Sequence, residues 1–553
     1  HPAQAKVLRF LLECDGPIAR ERVRDKLKIS LSPLETLAKK GIVSFFAQSD
    51  DIDPFAHLTC AKTPPPTLTP CQGEILSAIE KSIALGQFES CLLFGITGSG
   101  KTEVYIRSIQ KAVEKGKQAI VLVPEIALTP QTVIRFKERF DHVAVLHSEL
   151  TPAQRASQWK QIHEGKVQVV IGPRSAIFAP THKLGLVVVD EEHEPSFKQQ
   201  NTPRYNARDL AVKRAQIHDA VVILGSATPS LESFYNCARK KYKFFHLPVR
   251  IGKSSLPKLV VVDMKEEYQE QKKFVYFSRM MIKALRNTLS AGEQAIVFLN
   301  RRGFATAVTC PACGYEMKCA HCEVVLTYHK KSQVGLCHYC GEEIKAPESC
   351  PICQFHGIRF FGAGTERIES LLQKEFPQAR VVRMDSDTMT TRDRYERTFL
   401  SFSRGEIDIL LGTQMIAKGL DFPKVTMVGI VSADSGLQLP DFRCAERTFQ
   451  LTVQVAGRAG RGEKPGLVIV QTLRPDHYAI QTALAQDYQR FANKELLLRK
   501  SLGYPPFGKL LRIVVEGADE EPVKKKAQEV RDSIVAPRRS EERRVGKECR
   551  SRW

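Results

Sequence analysis

Hydrophobic positions fall along most of the chain in two kinds of block: short continuous apolar runs, and longer stretches with an apolar residue every three or four positions. Between residues 68 and 249 the runs lie at Cys91–Ile96, Ala119–Val123, Val167–Ile171, Leu184–Val189 and Ala220–Leu224, with helical stretches between them. A strand that is apolar throughout is covered on both faces, so this order predicts a parallel sheet sandwiched by helices. The pattern returns between about Gly292 and Leu473, with runs at Gln294–Leu299, Arg380–Arg383, Ile407–Leu411, Val425–Val431 and Gly466–Val470. Residues 1–61 carry three helical patterns, Ala3–Leu12, Ala19–Leu27 and Ser32–Lys40, then Gly41 and a β-like run Ile42–Phe46, the order of a winged-helix unit. Lys62-Thr-Pro-Pro-Pro-Thr67 lacks successive backbone donors, so residues 62–67 read as a linker. Residues 476–536, helical with an extended run at Lys509–Val515, read as part of a further domain; residues 537–553 have no apolar period and are expected to be a disordered or non-native tail.

Composition narrows the function. The chain has 553 residues, and 82 Lys and Arg against 61 Asp and Glu give a net charge of +21, which favours a polyanionic partner, above all nucleic acid. Arg20, Arg22, Arg24, Lys26 and Lys28 suit phosphates in the winged-helix unit, or else form a solvated helix face. Hydrophobic residues at 43% exclude a disordered chain, and no apolar run approaches the roughly 18–20 residues of a membrane span. No membrane is expected as a partner. With no targeting pattern after His1, the expected location is cytoplasmic.

Gly95-Ile-Thr-Gly-Ser-Gly-Lys-Thr102 has the spacing of a phosphate-binding loop, between an apolar run and a helical stretch, where such a loop belongs. Gly95, Gly98 and Gly100 let backbone N–H groups curl around phosphate, Lys101 reaches the β and γ oxygens, and Thr102 ligates Mg²⁺. Leu186-Val-Val-Val-Asp-Glu-Glu-His193 ends a buried strand in acids, so Asp190 is placed to hold Mg²⁺ and Glu191 to polarise the attacking water. Gly225-Ser-Ala-Thr-Pro229 follows another strand, with hydroxyls that can couple nucleotide state to movement. In Gln454-Val-Ala-Gly-Arg-Ala-Gly-Arg461 the small residues allow close approach, and Arg458 and Arg461 suit a γ-phosphate held by the other lobe. Thr413, within Leu411-Gly-Thr-Gln-Met-Ile-Ala-Lys-Gly-Leu-Asp421, offers a hydroxyl to phosphodiester oxygens or the nucleotide.

Eight of 15 cysteines form four Cys-x-x-Cys pairs, Cys310/Cys313, Cys319/Cys322, Cys337/Cys340 and Cys350/Cys353. Eight thiolates are the count for two zinc sites of four cysteines each. The alternating Val324–Tyr328 can form a hairpin between two knuckles, which makes the inner pairs one site and the outer pairs the other. Sequential pairing is the alternative arrangement, and Fe–S ligation or redox-active pairs are alternative chemistries. His321, His329 and His338 lie nearby but are not needed to fill two sites, so they are expected at the surface or facing DNA.

These ordered motifs resemble those of superfamily 2 helicases. With Phe298-Leu-Asn-Arg-Arg-Gly-Phe304, the cysteine pairs, Gly362-Ala-Gly-Thr-Glu-Arg-Ile-Glu369 and Tyr504-Pro-Pro-Phe507, the chain from 1 to about 535 is similar to the PriA family of primosomal replication-restart helicases. The resemblance implies an α/β fold: two RecA-like parallel-sheet lobes at 68–249 and 250–475, the second interrupted by a double-zinc insert at 309–355, behind an N-terminal winged-helix unit. It implies an ATP-dependent 3′-to-5′ DNA helicase that acts at abandoned replication forks and helps reload the replicative helicase. Cofactors would be ATP, Mg²⁺ and two Zn²⁺ in the nested pairing. Partners would be forked and single-stranded DNA, single-stranded DNA-binding protein, primosomal loader proteins and the replicative helicase. By the same likeness Gln72 reads adenine, and Thr129, Arg174, Ser175, Phe197, Lys198 and Tyr205 contact DNA, the two rings stacking on bases. The family's domain for a nascent 3′ end would precede His1. Two other functions suit the same residues: a loading platform switched by ATP with little unwinding, and a duplex translocase.

Overall fold

The structure, a computed structural model, describes residues 2–12, 14, 18, 20–45, 62, 64–125, 130–251, 257–272, 275–300, 308–310, 312–322, 324–329, 332–337, 340–356, 359–360, 364–385, 387–389, 392–416, 422, 424–439, 441–460 and 464–535. The first lobe holds strands β1 (Glu89–Gly95), β2 (Gln118–Leu122), β3 (Val143–Val145), β4 (Val169–Gly172), β5 (Leu184–Asp190), β6 (Val221–Ser226) and β7 (Lys243–Leu247). They form one parallel sheet in the order β3-β4-β2-β5-β6-β1-β7. Both faces are covered: Leu93 packs with Val104 and Ile109 on one side, Leu92 with Leu122 and Val187 on the other. That two-sided burial is why the strands read as continuous apolar runs.

The second lobe begins with β8 (Lys258–Asp263) and β9 (Gln294–Phe298). The cysteine insert follows, with β10 (Val308–Thr309), β11 (Thr327–His329), β12 (Val334–Leu336), β13 (Glu343–Lys345) and β14 (Arg359–Phe360). The lobe then resumes with β15 (Val381–Met384), β16 (Ile409–Gly412), β17 (Val425–Ile430) and β18 (Leu467–Thr472). Its sheet is again parallel, in the order β15-β16-β9-β17-β18-β8. Helices Tyr478–Leu484 and Tyr488–Ser501 extend this lobe's core through Ala479, Ile480, Ala483, Phe491 and Ala492.

One local expectation fails. Helices Pro2–Leu12, Arg20–Leu27 and Ser32–Lys39 form and close a small core of Val7, Val23, Leu34 and Leu37. No strand follows at residues 42–45, and Phe46 lies outside the described residues. The Ile42 N–H donates to Leu37 O and that of Gly41, at φ 70°, to Ala38 O, so the chain here caps a helix instead of extending. Residues 509–515 carry no ladder, and no described strand lies beside them. No helix among the described residues is long and apolar enough to cross a membrane.

Candidate active site between the lobes

The phosphate loop leaves β1 and enters helix Lys101–Glu114 through two residues with positive φ, Gly98 (83°) and Gly100 (80°). A Cβ at Gly100 would collide with Gln72 and Ile251, so glycine here answers both conformation and space. Lys101 Nζ donates to Gly95 O at 2.7 Å, which curls the side chain back over the loop. Gln72 is buried. Its Oε1 accepts from Thr69 N at 2.9 Å in a capping box, and its Nε2 donates to Ser99 O at 3.0 Å. The amide expected to read adenine thus braces the phosphate loop, with both its ends committed.

Strand β5 delivers Asp190 and Glu191 to the same mouth, beside Thr102. Burial, and then the charge of Glu191, push the Asp190 carboxyl up to about 6, against the pull of Lys101 and Tyr105. Glu191 sits at φ 50°, a left-handed conformation that side chains adopt at a cost, and its Oε2 is buried without a hydrogen-bond partner. His193 Nδ1 is 3.7 Å from that oxygen. A partly exposed carboxylate with one buried, unsatisfied oxygen at the edge of a cavity is chemically suited to take a proton from water. The adjacent Glu192 is structural: it accepts from Ser230 N (2.6 Å), Ser230 Oγ (3.0 Å) and Ser233 Oγ (2.9 Å), and pairs with Arg208.

The second lobe closes this cavity. Thr102, Asp190 and Glu191 share its wall with Gln454 and Arg458. Gln454 Nε2 lies 2.7 Å from His193 Nε2, and His193 Nδ1 lies 2.7 Å from Ser226 Oγ, which accepts from Thr228 N at 2.8 Å. One chain of hydrogen bonds therefore joins the second lobe to the acidic strand end and to the Gly225–Pro229 turn. Gly457 abuts the phosphate loop, where a Cβ would lie 3.1 Å from Thr97 Oγ1, so the small residues do permit close approach. Arg461 lies outside the described residues.

The positions expected on DNA separate. Phe197 is a correction: at 2% exposure it packs in the first-lobe core with Ala207 and Ala211, because the loop folds back over the sheet. Tyr205 stays partly exposed and meets Phe178 edge-on, ring centroids 5.1 Å apart. Phe178, which motif reading passes over, is 50% exposed. Its 3-10 turn is held by Arg214, which donates to Ala179 O and Thr181 Oγ1 at 2.6 and 2.8 Å. Ser175 and Lys198 are exposed; Arg174 Nη1 donates to Ser196 O at 3.0 Å, and Thr413 is half-buried at the end of β16. Thr129 lies outside the described residues.

In the insert, Cys310, Cys313, Cys350 and Cys353 form one set of sulfurs and Cys319, Cys322, Cys337 and Cys340 a second, all within 4.8 Å of one another in each set. Sulfur separations of 3.6 Å (Cys310–Cys353) and 3.5 Å (Cys313–Cys350 and Cys319–Cys340) are far too long for disulfides, about 2.05 Å. They approach the ~3.8 Å edge of a tetrahedron with ~2.3 Å Zn–S bonds. The nested pairing holds, and the two sites fit two zinc ions. β11 and β12 make the expected hairpin. His321 and His329 are exposed, and His338 lies outside the described residues.

Family profiles match three segments: "DEAD/DEAH box helicase" at residues 69–236, "Helicase conserved C-terminal domain" at 354–463, and "PriA DNA helicase Cys-rich region (CRR) domain" at 319–345. Replication restart protein PriA of Bacillus subtilis (strain 168) is 46% identical over 515 residues, covering 93% of this chain and 64% of the relative. The protein of the same description from Chlamydia muridarum is 44% identical over 539 residues, covering 96% and 71%. That from Synechocystis is 42% identical over 537 residues, covering 95% and 64%. The chain thus spans about two thirds of the length of these relatives, through both lobes and the cysteine insert. With this cleft and these nested cysteine sites, it belongs to the PriA family of replication restart proteins.

Proposed function

We propose that the chain is an ATP-dependent DNA helicase of replication restart, moving 3′ to 5′ along one strand at forked DNA. The observation that carries this reading is the cavity in which Arg458 of the second lobe faces Thr102, Asp190 and Glu191 of the first. When bound, Mg²⁺-ATP supplies a phosphoanhydride whose cleavage releases free energy. Lys101 and the loop N–H groups bind phosphate oxygens, Asp190 and Thr102 hold the metal, Glu191 takes the proton of the attacking water, and Arg458 and Arg461 offset charge on the γ-phosphate. Hydrolysis then requires the lobes to be closed. Tyr205 and Phe178, with Thr129, Arg174, Ser175, Lys198 and Thr413, form the contact with the single strand, and the net charge of +21 favours such a partner.

Family membership supports fork restart with single-stranded DNA-binding protein, primosomal loader proteins and the replicative helicase as partners, in the cytoplasm. The three helices of residues 1–61 serve as a contact to duplex DNA. Strand displacement on forks with leading or lagging gaps tests the reading, with Lys101→Ala as control. ATP-dependent displacement by the wild type, lost in Lys101→Ala while fork binding persists, is expected. ATPase activity retained by Lys101→Ala would overturn the cleft assignment.

A further inference from the structure

Tyr105 stands one helical turn beyond Lys101 and Thr102, on the side of their helix that faces β5 and β6. Its ring is buried in the first-lobe core, and its hydroxyl donates to Asp190 Oδ1 at 3.2 Å. Packing alone does not require that hydroxyl. A phenol in such a place needs an acceptor, and the acceptor here is the carboxylate at the end of β5. The backbone has made room for it: Gly225, the register partner of Asp190 across the β5–β6 pairing, lies against the hydroxyl, and a Cβ there would overlap it. Three elements thus converge on one hydrogen bond.

We propose that Tyr105 is a positioning residue for the divalent metal of the cleft: its hydroxyl holds one oxygen of Asp190, which fixes the carboxylate plane and leaves the other oxygen for the ion beside Thr102. The proposal rests on the reading of the cleft as a Mg²⁺-nucleotide site. Partners that orient a ligating carboxylate commonly change metal affinity about 10–100-fold when removed. A tyrosine that only filled space would lose nothing when trimmed to phenylalanine.

The test is Tyr105→Phe, which keeps the ring. A fluorescent ATP analogue is titrated onto wild type and variant across Mg²⁺ concentrations and in EDTA, with thermal melting alongside. We expect the Mg²⁺ concentration for half-maximal nucleotide binding to rise about 10-fold, with affinity in EDTA and melting temperature unchanged, and ATPase activity to recover at saturating Mg²⁺. Gly225→Ala, which displaces the hydroxyl without removing it, is expected to shift the midpoint the same way. An unchanged Mg²⁺ midpoint in Tyr105→Phe overturns the proposal while leaving the cleft reading intact. A wild type whose nucleotide binding ignores Mg²⁺ overturns both.

Discussion

In the first lobe Phe178, and not Phe197, presents its ring at the surface beside Tyr205. Phe197 lies in the loop where an aromatic is expected to face DNA, yet it is buried; Phe178, in an unremarked 3-10 turn, is half exposed against Tyr205. Phe178→Ala is therefore expected to weaken single-strand binding by about 1–3 kcal/mol at unchanged stability, read by fluorescence anisotropy and melting. Phe197→Ala, which empties a core site, is expected to cost about 3–5 kcal/mol of stability. A second residue sets a pH dependence. Asp434, beside the insert, accepts from Thr472 Oγ1 and Leu473 N at 2.8 Å each, and burial pushes its carboxyl up to about 6. Between pH 4 and 6 the native state holds a proton that the unfolded chain has released, so its stabilising contribution is full below about pH 4 and is lost as pH rises through 6. Urea unfolding across that range should show wild type losing stability relative to Asp434→Asn, by at most about 3 kcal/mol.

Among the elements, helix Cys444–Ala456 does the most joining. Glu446, Gln450 and Gln454, spaced four apart, line one face: Glu446 Oε1 accepts from Leu231 N (3.0 Å), Gln450 Nε2 donates to Thr228 O (3.2 Å), and Gln454 meets His193. Arg458 continues the row into the cavity. Gln450→Ala is expected to slow ATP turnover while leaving nucleotide affinity unchanged, since it loosens the seam without touching the phosphate loop; steady-state kinetics beside direct binding would show the split. Glu446 also accepts from Arg499 Nη2 at 2.6 Å, so Glu446→Gln should destabilise the fold by about 1.5–3 kcal/mol in denaturant titration.

The end of this helix was legible in sequence because glycines and arginines in Gln454–Arg461 form a local pattern; Glu446 and Gln450 were not, because their partners lie in the other lobe, far along the chain. Strands obey the same rule. The central ones, apolar on both faces, were read within a residue or two, whereas β3 is three residues long and β7 an exposed edge. The phosphate loop and the cysteine pairs were legible because their chemistry is written in near-neighbour spacing. The burial of Phe197 is not written in any local pattern, because it depends on how the loop folds back over the sheet.

For the whole molecule, the insert is tied to the second lobe by polar contacts: Arg474 Nη1 donates to Glu316 Oε2 at 2.7 Å, and Gln438 Nε2 to Thr309 Oγ1 at 3.1 Å. Its core is small, with Val308, Met317, Val324 and Leu326 around the cysteines, so metal supplies most of its folding free energy, about 10–16 kcal/mol per structural site in small peptides. Chelation is expected to release two zinc ions per chain and to expose insert amides to hydrogen exchange, while residues 68–249, with their own two-faced core, stay protected. Elemental analysis with exchange mass spectrometry checks both halves.

The two ends of that insert run antiparallel as neighbours, Val308 opposite Phe360 and Thr309 opposite Arg359. To the sheet behind it, everything between is a detour that returns to its point of departure. Such a detour can be lengthened, shortened or cut out without reordering β9 or β15–β18, so the topology of the second lobe's sheet does not depend on what the insert carries.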